Sequence, residues 1–166
     1  METPFPQRNR TRAPGFDYRE PGPYFVTICE YRRIKRFGQV DNSLMAPNRA
    51  GEMVIATWLK LPEKYPELTL DAFVLMPNHF HGIVTLGSDD VEGNVSLSEA
   101  VQWFKTMTTN WYIHGVKTQG WPRFDEHLWQ RSFHDRIVRT DVEMDRFRTY
   151  IEHNPALWAE DTFFEP

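Results

Sequence analysis

Apolar and polar positions along the chain follow two periods. Tyr24-Phe25-Val26-Thr27-Ile28-Cys29 is aromatic and β-branched throughout and enters from Pro21-Gly22-Pro23, the signature of a strand. Leu70 to Met76 and His79 to Leu86 read as two more strands, divided by Pro77-Asn78. Ser132 to Val138 reads as a fourth, and Phe37 to Val40 as a possible short extra one. Helical spacing appears first between Pro47-Asn48 and Tyr65, where Met53, Ile55, Ala56, Leu59 and Leu61 recur at roughly helical intervals and Pro62 marks an end or a distortion. A second helix opens on the capping box Ser96-Leu-Ser-Glu99, carries Val101, Phe104, Met107 and Trp111, and is expected to run to about His114. Gly115 and Gly120-Trp121-Pro122 then bound a loop that lasts until Trp129. The last helix is expected from about Val142 to Asn154, with Asp141 as its cap and Pro155 as its stop.

The order β, α, β, β, α, β, α, with the last helix set aside, is the split βαβ order of a ferredoxin-like α+β fold: an antiparallel sheet with helices on one face. Residues 1–22, rich in Pro, Gly and Arg, read as a basic arm, and 23–166 as a single domain.

Composition narrows the class. With 166 residues, 40% hydrophobic and 25% charged, the chain has the make-up of one globular domain and not of a disordered segment. The single cysteine, Cys29, excludes a disulfide framework within the chain and any cysteine-rich zinc site. No run of about 18 apolar residues exists to form a transmembrane helix. The N-terminal arginines have no apolar core behind them, so no secretory signal is expected and a cytoplasmic location is. The net charge of −4 argues on its face against a nucleic-acid partner. Its distribution argues otherwise: residues 1–50 hold nine basic against five acidic residues, and the remainder ten against eighteen. Binding follows the local field, so a basic arm on an acidic body can still take phosphate; a solvated tail is the other reading.

Two clusters carry candidate chemistry. In His79-Phe80-His81 the alternation of a strand puts both imidazoles on one face and Phe80 on the other. Two such rings can converge on one metal ion or simply hydrogen-bond their surroundings, and they fall short of a zinc site by themselves. In the last helix, Tyr150 and Asn154 lie four residues apart on one face. Asn154 can offer a carbonyl oxygen to a metal, or merely end the helix before Pro155. Together the clusters offer two histidines and an amide oxygen with a phenol beside them. That set suits Mg²⁺ or Mn²⁺ and the cleavage of a phosphodiester by a tyrosine nucleophile.

Four segments then bring a family into view. Met76-Pro-Asn-His-Phe-His-Gly82, Val101-Gln-Trp-Phe-Lys-Thr-Met-Thr-Thr109, Leu128-Trp-Gln-Arg-Ser-Phe-His-Asp-Arg-Ile-Val-Arg139 and Tyr150-Ile-Glu-His-Asn-Pro155 occur in this order. They resemble the REP-associated tyrosine transposases, a branch of the single-tyrosine HUH endonucleases that includes insertion-sequence transposases. The resemblance spans roughly Arg8 to Trp158. It implies that His79 and His81 bind a divalent metal, with Asn154 where relatives often carry Gln as the third ligand. It further implies that Tyr150 is the nucleophile, forming a 5′-phosphotyrosine on single-stranded DNA and leaving a free 3′-OH. The substrates so implied are imperfect hairpins, the repeated extragenic palindromes, and the assembly is a monomer or a homodimer. Phe133-His134 departs from the Tyr-rich strand of relatives and removes one hydroxyl near the sheet.

Candidate DNA contacts are Arg8, Arg10 and Arg12 in the arm, Lys105 on the second helix, and Arg131 and Arg136 around the fourth strand. Lys105 also fits an exposed lysine with a buried stem, and Asp125, Glu126 and Asp135 are near enough in sequence to pair with the two arginines. Trp103 and Trp129 can stack bases or pack in the core. A hairpin-binding regulator without cleavage and an RNA-binding module are the competing classes; the latter calls for aromatic residues where His79 and His81 stand.

Overall fold

A computed structural model describes residues 20–87 and 95–161. The strands are β1 (Gly22–Cys29), β2 (Gly38–Asp41), β3 (Leu44–Pro47), β4 (Thr69–Met76), β5 (His79–Leu86) and β6 (His134–Ile137). The helices are α1 (Arg49–Trp58), α2 (Leu61–Lys64), α3 (Leu97–Gln119) and α4 (Asp141–His153), followed by a 3₁₀ turn at Trp158–Glu160.

The main sheet has the order β4-β5-β1-β6 and is antiparallel at every pairing. Each parallel pair, β1 with β4 and β5 with β6, is thus split by an intervening strand, which is the ferredoxin-like arrangement expected from the element order. The short strand foreseen near Phe37 is real but joins β3 in a hairpin of its own, apart from the main sheet.

Strand alternation sorts the core into two layers. Tyr24, Val26 and Ile28 of β1 and Phe80 and Val84 of β5 face α1 and α3, where they meet Trp58, Val101 and Phe104. The opposite face is not left open. Phe25 and Ile83 on that side are covered by Phe147 and Ile151 of α4, with Phe25 stacked on Phe147 at 4.4 Å between centroids. The expectation of helices on one face, made with the last helix set aside, holds for α1 and α3, and α4 covers the other face. Arg148 fixes α4 against β4 through paired bonds of 2.9 and 2.7 Å to Asp71, which sits within the irregular register between Leu70 and Phe73.

Three helix boundaries differ from the sequence reading, and the fourth strand is shorter than expected, His134–Ile137. Pro62 does not extend the first helix; α1 ends at Trp58 and Pro62 lies in the first turn of α2, where its missing N–H costs nothing. The second helix passes His114 and runs to Gln119, because Gly115 has no side chain to collide with the Trp121 ring folded against it. Gly120, at φ +70, supplies the left-handed cap instead. Thr140, rather than Asp141, caps α4 by accepting from the Glu143 N–H at 3.1 Å.

Candidate metal and nucleophile site

β5 brings His79 and His81 to the α4 side of the sheet, as their alternation requires. Their registers are Cys29 opposite His79 and Thr27 opposite His81, with Thr27 flanked on its other edge by His134 of β6. Both imidazoles are buried. Nδ1 of His81 lies 2.8 Å from Thr27 Oγ1, and Nδ1 of His79 lies 2.8 Å from Asn78 Oδ1. The two rings meet edge to face, 4.7 Å between centroids.

α4 passes above them. The Tyr150 phenol oxygen stands 3.4 Å from Nε2 of His81, and its ring is packed edge-on against Phe25 and His81. Asn154, the C-cap of α4, is buried one turn further on. Its amide lies close enough to His79 and Tyr150 to act on the protonation of both, yet its Oδ1 makes no well-formed hydrogen bond. A buried amide oxygen in this state costs stability unless something accepts its lone pairs.

The chain then turns through Pro155 and the 3₁₀ turn, stacks Trp158 near His79 at 5.9 Å, and delivers Asp161 to the same point. Asp161 Oδ2 is 3.7 Å from Nε2 of His79. One nitrogen of each histidine and a carboxylate oxygen of Asp161 all lie within 4.8 Å of one another. Two imidazoles, a carboxylate and an amide oxygen form a donor set that fits a divalent cation of the Mg²⁺ or Mn²⁺ type. Asp161 is the residue that the sequence reading missed. It follows the helix by an irregular turn, so no periodic spacing links it to Tyr150 or to the strand.

Electrostatics follow from burial. Desolvation holds both histidines neutral, His79 well below 6.5 and His81 down to about 3, with the neighbouring ring and Arg33 adding to the effect at His79 and His134 at His81. Burial, then the Asp161 charge, raises the Tyr150 phenol above its usual value of 10. Neutral imidazoles are the form that ligates a metal, and a cation among these groups would reverse the pressure on the phenol. Cys29, opposite His79 on the neighbouring strand, is pushed up to about 12 by burial and is a thiol held in the core.

The other candidates fall elsewhere. Arg8, Arg10 and Arg12 lie outside the described residues. Lys105 is not presented to solvent: Nζ donates to the carbonyls of Gln130, Arg131 and Ser132 at 2.8, 3.1 and 3.3 Å and lies over the Phe133 ring. Burial lowers it to about 8. Arg131 is exposed at the rim of a shallow concavity along α3 lined by Gln102, Thr106 and Thr109. Arg136 lies on the α4 face, 3.4 Å from Glu143 and over the Phe147 ring. Trp129 is buried, stacked on Phe37, and donates to Thr108 Oγ1 at 2.8 Å, whereas Trp103 packs at the core's margin. The basic stretch after β1, Arg32-Arg33-Ile34-Lys35-Arg36, is wrapped around the buried Glu30, whose carboxylate accepts from the N–H groups of Arg32 and Ile34 and from Arg36 Nε. Arg33 of this loop is near enough for its charge to reach His79.

A ferredoxin-like sheet thus carries a His-x-His strand beneath a tyrosine-bearing helix. The particular family is equally plain: residues 25–154 match the IS200-like transposases, and this chain belongs to that family. An uncharacterised protein of Haemophilus influenzae is 30% identical over 168 aligned positions, covering 95% of this chain and 93% of its own. Among solved structures, a REP-associated tyrosine transposase bound to a REP hairpin superposes with a TM-score of 0.60 at 21% identity, covering 92% of this chain and 73% of that one. A crystal structure described as a candidate transposase of Deinococcus radiodurans superposes with a TM-score of 0.51 at 14% identity, covering 85% and 95%. At these identities the two structures speak for the fold. Among the described residues no helix is long and apolar enough to cross a membrane.

Proposed function

We propose that this chain is a metal-dependent single-stranded DNA endonuclease and strand transferase that cleaves beside palindromic hairpins through Tyr150. The observation that carries the reading is the position of the Tyr150 oxygen, 3.4 Å from a histidine that itself belongs to the only cluster of three potential metal ligands among the described residues. His79, His81, Asp161 and Asn154 would hold a Mg²⁺ or Mn²⁺ ion. Such an ion, when bound, withdraws charge from a phosphate oxygen and favours the ionised phenol.

The protein's own groups do the rest. The phenol gives up its proton to the surrounding water, its oxygen attacks phosphorus and the Oη–P bond forms, the bond to the 3′ oxygen breaks, and that oxygen takes a proton from the same water to leave as a 3′-OH. The reverse attack by a 3′-OH on the phosphotyrosine rejoins a strand. The aromatic packing of Tyr150 against Phe25 and His81 restricts the ring, so that the oxygen is presented at a fixed place. The structural neighbour bound to a REP hairpin supports the choice of hairpin DNA as substrate.

The test is direct. Wild-type protein mixed with single-stranded palindromic hairpins and their flanks, with Mn²⁺, should give a protein–DNA adduct that survives denaturation. No adduct and no free 3′ end across hairpins taken from around its own gene would defeat the proposal.

A further inference from the structure

The side chain of Asn78 is fully buried in the turn between β4 and β5, one residue before the first histidine. Its Nδ2 donates to the main-chain carbonyl of Arg33 at 2.9 Å, and its Oδ1 lies 2.8 Å from Nδ1 of His79. A main-chain carbonyl only accepts, so the amide must turn its NH₂ group to Arg33 and its oxygen to the ring. An amide oxygen also only accepts. The hydrogen in the second contact therefore resides on Nδ1 of His79, whatever the second nitrogen carries. Thr27 makes the matching contact to His81, but a hydroxyl donates or accepts with equal ease and selects no tautomer by itself.

The same residue joins two parts of the molecule. The Glu30 N–H donates to the Asn78 carbonyl at 2.9 Å, and the Phe37 N–H donates to the Pro77 carbonyl at 3.1 Å. With the Arg33 bond, both ends and the middle of the basic segment 30–37 are thus bonded to the turn that starts β5. Glu30 shapes the interior of that segment, receiving Arg32 N–H, Ile34 N–H and Arg36 Nε at 2.7, 2.8 and 2.6 Å.

We propose that Asn78 is a positioning residue that fixes His79 as the Nδ1–H tautomer, aims Nε2 at His81 and Asp161, and ties that ring to the basic segment 30–37. In its metal arm this rests on the proposed function; the tautomer is a property of the metal-free protein. Groups that orient a ligating histidine through its far nitrogen typically change metal affinity on the order of 10–100-fold when removed. A displacement of the basic segment, such as contact with a nucleic-acid backbone would produce, would pass through one amide to the ring.

The experiment uses full-length protein with ¹⁵N-labelled histidine, free of metal, and reads which imidazole nitrogen of His79 is protonated. Nδ1 is expected; a proton on Nε2 in the wild type overturns the proposal and requires no variant. In Asn78→Ala the His79 proton should redistribute towards Nε2, and Mn²⁺ affinity measured by calorimetry without DNA should fall by about 10–100-fold. Asn78→Asp keeps an acceptor for Nδ1–H, so it should restore the tautomer and most of the Mn²⁺ affinity. It lacks the donor to Arg33, so amide exchange across residues 32–36 should quicken. Wild-type tautomer and affinity in Asn78→Ala would overturn the assignment. An absence of Mn²⁺ binding in the wild type would count against the proposed function while leaving the tautomer result to be judged separately.

Discussion

Tyr150 and His81 approach each other from opposite layers, the phenol oxygen of the one 3.4 Å from Nε2 of the other. The strand fixes the imidazole through its pairing with β1, and the helix fixes the phenol through Phe147 and Ile151, which are buried on the same face as Phe25 and Ile83. The proposed nucleophile and the proposed metal ligand are thus set by the packing of an entire helix on a sheet, and each can be removed singly.

Tyr150→Phe deletes one oxygen and keeps the ring against Phe25. The variant should unfold within about 1 kcal/mol of wild type, since the contact to His81 is long for a hydrogen bond and one neutral hydrogen bond contributes about that much. It should bind hairpin DNA and Mn²⁺ as before and form no covalent adduct. Cleavage that persisted would point to water or another tyrosine as nucleophile.

Asp161→Asn keeps the shape of the side chain and removes its charge. Affinity for Mn²⁺ should drop at least tenfold by calorimetry, with the fold intact by circular dichroism, and His79→Ala should abolish binding at the same site. Equal Mn²⁺ affinity in Asp161→Asn would leave His79, His81 and Asn154 as the whole set of protein ligands.

Acid should weaken the metal-free fold through the histidines. Both are held below 6.5 in the folded chain, so the unfolded chain takes up protons first as pH falls. Their contribution is intact above the unfolded value of about 6.5 and is lost progressively below it. For His81, with a folded value near 3, the loss is about 1.4 kcal/mol between pH 7.5 and 5.5. Urea unfolding in chelator at the two pH values checks this, with His81→Gln expected to flatten the dependence. A slope unchanged by that substitution would show that other groups carry it.

Lys105→Met separates a structural lysine from a DNA contact. Three carbonyls lose their donor, so stability should fall by roughly 1–3 kcal/mol. The salt dependence of hairpin binding should not change, whereas Arg131→Ala should reduce its slope by about 1 if that exposed arginine meets a phosphate. A shallower slope in Lys105→Met would restore the lysine to the DNA-binding surface.

Glu30→Ala leaves Arg36 without its partner in a place where that guanidinium is 7% exposed. Breaking such a buried pair costs about 3–5 kcal/mol, and two further hydrogen bonds of the basic segment, from the Arg32 and Ile34 N–H groups, go with it. Chemical denaturation measures the loss; a change below about 1 kcal/mol would mean that the segment is held by its bonds to Pro77 and Asn78 alone.

Local signals carried over well from sequence to structure. Ser96 and Glu99 form the capping box their spacing announces, and His79 and His81 share a face because a strand permits nothing else. Tyr150 and Asn154 face the same rings because four residues make about one helical turn. What was not legible depends on tertiary contacts. The true length of α3 rests on an indole packing against a glycine, and the role of Lys105 rests on three carbonyls distant in sequence. Asp161 reaches the site through a turn with no period, and Asn78, in plain view beside the histidines, shows its double contact only when Arg33 is placed next to it.

The alternation along β5 has a consequence for how this chain can vary. His79, His81 and Ile83 look towards α4, while Phe80, Gly82 and Val84 look towards α1 and α3, and Gly82 leaves room for the Trp58 ring, which an added Cβ would meet at 2.5 Å. A slip of one residue against β1 would bury Phe80 where the proposed ligands stand and drive imidazoles into the aromatic core. Misalignment is therefore penalised twice over, once as chemistry and once as packing. Insertions and deletions should be tolerated in the hairpin of β2 and β3 and not between His79 and Leu86.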